Sequence, residues 1–80
     1  MKAIVIIRPK AEVLDPQGSA VKRALDKLGF AGVKDVRVGK VIEIEIDEQH
    51  GRAPDLREHL AKMADEMLAN PVIEDYEVVV

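Results

Sequence analysis

His50 and His59 are the two imidazoles of the 80-residue chain, and metal or acid–base chemistry would begin with them. A metal pair on one helix needs both rings on the same face, as in His-x-x-x-His, and a separation of nine positions does not give that. A general base needs a partner to orient it, and the sequence identifies none beside either ring. Both histidines therefore read as solvent-exposed. Glu43, Glu45 and Asp47 alternate on one strand face and have the oxygens a hard cation wants. The same period describes a solvated face that discourages edge pairing, which is the simpler reading. Gly39-Lys40 ends like a phosphate loop but lacks its frame, since position 34 is not Gly and Val41 stands where Ser or Thr would bind Mg²⁺. A hairpin turn accounts for it better. Arg8, Lys10 and Lys40 would make a small basic spot for an anion only if the fold brought them together, so they read as ordinary surface cations. Ser19 falls inside a helix with no histidine near it along the chain. Met63 and Met67 lie on an apolar helix stripe, where Met fills gaps.

The composition narrows the classes further. Twelve basic and fifteen acidic residues leave a net charge of −3, which opposes binding to a phosphate backbone. With one Phe, one Tyr and no Trp, the chain lacks the aromatic platforms on which single-stranded nucleic acids stack. No nucleic-acid partner is expected. The apolar run near the N-terminus is too short to span a membrane and has no signal-peptide cleavage region, so no membrane partner is expected and the location expected is cytoplasmic. Eighty residues allow one core, hence a single domain over residues 1–80. Without Cys for disulfides or a Cys/His metal set, a core of this size gains its usual extra support by self-association.

The elements that would position these residues follow from periodicity. Ala3 to Ile7 is a β-branched run ended by Arg8-Pro9, the pattern of a strand covered on both faces or paired across an interface. Asp15-Pro16 supplies an N-cap carboxylate and a proline at the first helical position. Val21, Ala24, Leu25 and Leu28 make the apolar stripe of that helix, and Gly29 is placed for the left-handed residue that ends it. Val36 and Val38 alternate with Arg37, then Ile42, Ile44 and Ile46 alternate with acids, which predicts an antiparallel hairpin turning at Gly39-Lys40. Glu48 to Ala53 reads as a polar loop before a second helix opened by Pro54, with Leu56, Leu60, Met63, Met67 and Leu68 as its stripe. Asn70-Pro71 closes that helix, Asn tolerating a left-handed backbone, and Val72 to Val80 returns as a strand. The order is βαββαβ, an α+β ferredoxin-like or split-βαβ sheet with both helices on one face, the sheet extended or packed across a dimer.

Four segments carry a family likeness. Val13-Leu14-Asp15-Pro16-Gln17-Gly18, Leu28-Gly29-Phe30, Val36-Arg37-Val38-Gly39-Lys40 and Leu68 through Tyr76 together resemble the PurS family, the small subunit of phosphoribosylformylglycinamidine (FGAM) synthase. The resemblance spans Lys2 to Val80. It implies that Asp15, Pro16, Gly18, Gly29, Gly39, Asn70 and Pro71 are structural motif residues, with no catalytic, cofactor-binding or metal-binding residue on this chain. It further implies a homo-oligomeric adaptor, dimer or tetramer, bridging a glutaminase and a large synthetase subunit. Those partners would bind the ATP, Mg²⁺ and glutamine used to make FGAM in purine biosynthesis, and the small subunit would assist ammonia transfer. Arg37 and Lys40, near the expected turn, are candidate partner contacts.

Two readings from other classes stand beside this one. A ferredoxin-like regulatory module would bind a small metabolite at a dimer interface. An enzyme of the acylphosphatase kind would need a phosphate-cradling loop after the first strand; Arg8 is present, but Pro9 and the absence of a glycine run argue against it.

Overall fold

Three alternate residues of β1 (Lys2–Pro9) are fully buried: Ala3, Val5 and Ile7 point into the core, while Ile4 and Ile6 lie half-buried on the opposite face. The computed structural model describes residues 1–80 and places β1 at the centre of a three-stranded antiparallel sheet. On one side lies β2 (Lys40–Glu45), in a register pairing Val5 with Ile42 and Ala3 with Ile44. On the other lies β3 (Glu74–Val79), pairing Val5 with Val78 and Ile7 with Tyr76. Residues directly opposite one another share a face, so Ile42, Ile44, Tyr76 and Val78 pack on the same side as the buried residues of β1.

That face is covered by the second half of the chain. Helix α3 (Leu56–Met63) buries Leu60, and its continuation Ala64–Leu68 widens into a π-helical turn that buries Ala64. The widening shows directly in the bond from the Ala69 N–H to the Ala64 carbonyl at 2.8 Å, five residues back. The architecture is α+β, with the first strand between the last strand and the one after the first helix, as in a split-βαβ sheet.

Helix α1 (Pro16–Lys27) ends as its sequence predicts. The Gly29 N–H bonds to the Asp26 carbonyl and the Phe30 N–H to that of Leu25, both at 3.1 Å, with Gly29 at φ 90°. These are the paired bonds of a Schellman motif. Of its residues only Gly18 is buried, and Val21, Leu28 and Phe30 along the stripe and helix end are 42, 73 and 58% exposed. The radius of gyration is 16.2 Å, against about 12 Å for a closely packed chain of this length. α1 extends the molecule instead of completing its core.

Four local expectations are corrected. Val36 to Val38 form no strand and no hairpin with β2, because their polar groups are taken elsewhere: the Val38 N–H donates to Asp15 Oδ2 at 2.7 Å. Gly39 is required by close approach rather than by a turn, since a Cβ there would run into the Ile7 carbonyl. Glu48 to Gly51 form a short helix, α2, because Asp47 caps it by accepting the His50 N–H at 2.8 Å. Asn70 likewise stops its helix without a left-handed backbone, as no residue other than glycine has positive φ. Its side-chain oxygen accepts the Val72 N–H and its carbonyl accepts those of Ile73 and Glu74, which makes the turn into β3.

Candidate functional site

The chain's polar architecture concentrates where β1 ends and α1 begins. Asp15 is the N-cap of α1 and accepts the Gly18 N–H at 3.1 Å, while its other carboxylate oxygen takes the Val38 N–H. The Val38 bond first, then that of Gly18, holds this carboxyl below the usual Asp range, helped by Gln17 and the charge of Arg37 and opposed by partial desolvation. Arg37 works from the Val36–Val38 segment, on the other side of the same seam. Its guanidinium donates to the carbonyls of Lys10, Ala11 and Val13 and, through Nε, to Asp35 at 3.3 Å.

Two segments that are more than twenty residues apart are thus sewn together by one carboxylate and one guanidinium. Gly18 lets them touch, because its position faces the Val36 carbonyl so closely that no Cβ fits. Pro16, at the first turn, needs no N–H partner there. Arg37 is therefore a clamp on the Lys10–Val13 loop rather than a free surface charge. Nothing in the spacing of Arg37 signals this, since a side-chain-to-carbonyl contact across the fold leaves no periodic trace.

Beside the clamp, Ile6, Ile7, Arg8, Pro9, Arg37, Gly39, Lys40 and Val41 line an open cleft of about 480 Å³. Of the basic spot considered from sequence, the fold brings Arg8 and Lys40 to this cleft and leaves Lys10 out. The acidic strand face is divided among neighbours: Glu43 pairs with Lys2 at 3.4 Å, Glu45 with the N-terminal ammonium at 3.8 Å, and Asp47 with His50. No three His, Cys, Asp or Glu side chains are grouped as a metal site. The histidines do have orienting partners that the sequence reading missed: His50 Nδ1 lies 2.8 Å from Asp47 and His59 Nε2 lies 3.2 Å from Asp55. The signal was there, as Asp at three and four positions before each ring. Both rings line a second cleft with Ile44, Leu56 and Met63.

Comparison with known proteins assigns these features to a family. A profile described as "PurS: Phosphoribosylformylglycinamidine (FGAM) synthase" matches residues 2–80. The chain belongs to the PurS family. It is 44% identical over 77 residues to the Mycobacterium leprae phosphoribosylformylglycinamidine synthase subunit PurS, covering 96% of this chain and 91% of the relative. Its fold matches a crystal form of Bacillus subtilis PurS with a TM-score of 0.83 at 42% identity, over 98% of this chain and 94% of that one. A chain in the structure of PurLQS from Thermotoga maritima matches with a TM-score of 0.73 at 31% identity, over 98% and 94% of the two chains. PurS is a subunit of FGAM synthase in purine biosynthesis. In this PurS fold the Asp15–Gly18 and Val36–Lys40 motifs are therefore one structural unit, the seam at the start of α1.

The seam makes a pH prediction. Asp15 ionises more readily folded than unfolded, so it adds stability above about pH 4, where the unfolded carboxyl is ionised, and loses it as the pH falls through the lower folded value. Asp15→Asn should flatten the loss of melting temperature between pH 5 and pH 2 expected of the parent. Asp15→Ala should lower the melting temperature at pH 7 by roughly 5–10 °C, because two N–H groups lose their acceptor. Thermal melts followed by circular dichroism measure both. A substituted chain with the parent's melting temperature and acid slope would contradict the assignment.

Proposed function

We propose that this chain is a non-catalytic adaptor of FGAM synthase, joining a glutaminase to an ATP-dependent synthetase and assisting ammonia transfer between them. On this reading it acts in the cytoplasm as one PurS domain over residues 1–80, and the partner subunits bind ATP, Mg²⁺ and glutamine. The observation that carries the proposal is its near full-length likeness to a chain of the Thermotoga maritima PurLQS structure. No helix is long and apolar enough to cross a membrane.

Self-association is part of the same proposal. The chain exposes 6004 Å², where a folded monomer of 8.8 kDa exposes about 4,800 Å². An excess of that order is comparable with what each partner buries in a stable dimer. The stripe of α1, with Val21 and Leu28 exposed and Phe30 beyond its end, is the surface we assign to a second copy. Light scattering at micromolar concentration should give a dimer or larger, and Leu28→Lys should shift the distribution toward monomer. A folded parent monomer would contradict it.

Arg37 and Lys40 remain proposed contacts to the partner subunits, but in different ways. Arg37 would act through the loop it clamps, so its charge reversal is expected to disturb folding. Lys40 is exposed and in no ion pair, and its reversal should leave the melting temperature unchanged while weakening co-elution with purified synthetase and glutaminase. Unchanged co-elution of Lys40→Glu would remove it from the interface.

A further inference from the structure

We propose that the apolar stripe of α1 docks on a second copy of this chain, in the cleft between β2 and α3 that its own helix does not cover, so that two copies exchange their first helices. The proposal rests on the self-association described above and names what the stripe meets. A split-βαβ sheet carries two helices on one face. Here α3 and its π-helical continuation bury Leu60 and Ala64 on that face, whereas α1 buries nothing but Gly18. The part of the face that α1 leaves uncovered is a cleft of about 340 Å³. Ile44 forms one side of it and lies on the core face because it pairs with the buried Ala3. Leu56 and Met63 form the other, about two helical turns apart on α3 with Leu60 between them. Met63 is 45% exposed there, an adaptable side chain with no neighbour to fill against.

Helix and cleft are the two unmatched halves of one fold. Val21, Ala24, Leu25 and Leu28 recur at three and four positions, which is how a helix presents anchors to an apolar groove. The 12 residues of α1 span about 18 Å and the 6 of β2 about 20 Å, so a helix laid along β2 reaches from one end of the strand to the other. The chain's own α1 is directed elsewhere. Asp15 ties its start to the Val38 N–H, and Gly18 sets it against the Val36 carbonyl, beside the Lys40 end of β2 and away from the cleft at Ile44. The resulting molecule measures 50 × 24 × 15 Å, an arm and a body, which is the shape from which identical elements are exchanged between protomers. Exchange about a two-fold axis makes each contact twice, and it buries the excess surface of both copies together.

The test uses the isolated full chain, so the adaptor reading does not enter its result. In an equal mixture of isotope-labelled and unlabelled copies, filtered NOE spectroscopy records contacts between copies alone. Such NOEs are expected from the methyl groups of Val21, Leu25 or Leu28 to those of Ile44, Leu56 or Met63. Met63→Glu should raise the dimer dissociation constant by about tenfold or more. Val41→Glu should leave it unchanged, since Val41 pairs with Ile6 on the opposite face of the sheet. Should Met63→Glu fail to fold, the NOEs of the parent decide alone. A dimer whose NOEs join α1 only to α1, or one that Val41→Glu dissociates and Met63→Glu does not, would overturn the exchange and leave self-association standing. A folded parent monomer would overturn both.

Discussion

Gly18→Ala should be among the most damaging single substitutions in this chain, with a loss of about 3 kcal/mol. Gly18 is the one buried residue of α1. An added Cβ would collide with the Val36 carbonyl oxygen and stand 2.8 Å from both the Val36 carbonyl carbon and Asp15 Oδ2. Two of those three atoms are backbone, so no rotamer change relieves the overlap. The N-terminus of α1 would have to leave the Val36–Gly39 segment, and the Asp15 bonds to Gly18 and Val38 would go with it. Gly29→Ala is the natural control. Nothing stands within 4 Å of a Cβ at Gly29, and only its φ of 90° opposes a side chain, a strain of about 1–2 kcal/mol. Urea unfolding should therefore rank Gly18→Ala below Gly29→Ala and both below the parent. A Gly18→Ala chain as stable as the parent would mean that the seam does not hold α1 in place.

The parts of this fold that were legible in the sequence are those whose signal is local. The buried alternation of β1, the Asp15-Pro16 start and the Gly29 end of α1, and the return strand after Asn70-Pro71 each depend on neighbours within a few positions. The alternation Val36-Arg37-Val38 misled, because alternation reports which side chains could face a core and not whether the backbone donors are free to pair. Here the Val38 donor belongs to Asp15 and the Arg37 side chain to a distant loop. The stripe of α1 was legible as apolar, but not that the chain itself leaves it uncovered, with Val21 and Leu28 open to solvent. The π-helical widening at Ala64–Leu68 left no mark either, since it shifts backbone bonds by one residue without altering the apolar pattern. For the site, family motifs pointed to the residues of the seam; that they touch one another is a three-dimensional fact.

A second large effect is expected in the assembled enzyme. If the chain joins two other subunits, its removal acts on nitrogen delivery rather than on the chemistry at either end. Glutamine-dependent FGAM synthesis should then fall by an order of magnitude or more without it, because ammonia released at one subunit no longer reaches the other in a closed contact. Surface substitutions that loosen assembly, such as Lys40→Glu, should lie between the two extremes, with folding intact.

The most direct measurement mixes purified synthetase and glutaminase with and without this chain and supplies either glutamine or free ammonium as the nitrogen source. An adaptor predicts a strong dependence on the chain with glutamine and a much smaller one with ammonium, which bypasses the contact between subunits. Equal glutamine-dependent rates with and without the chain would contradict the bridging role.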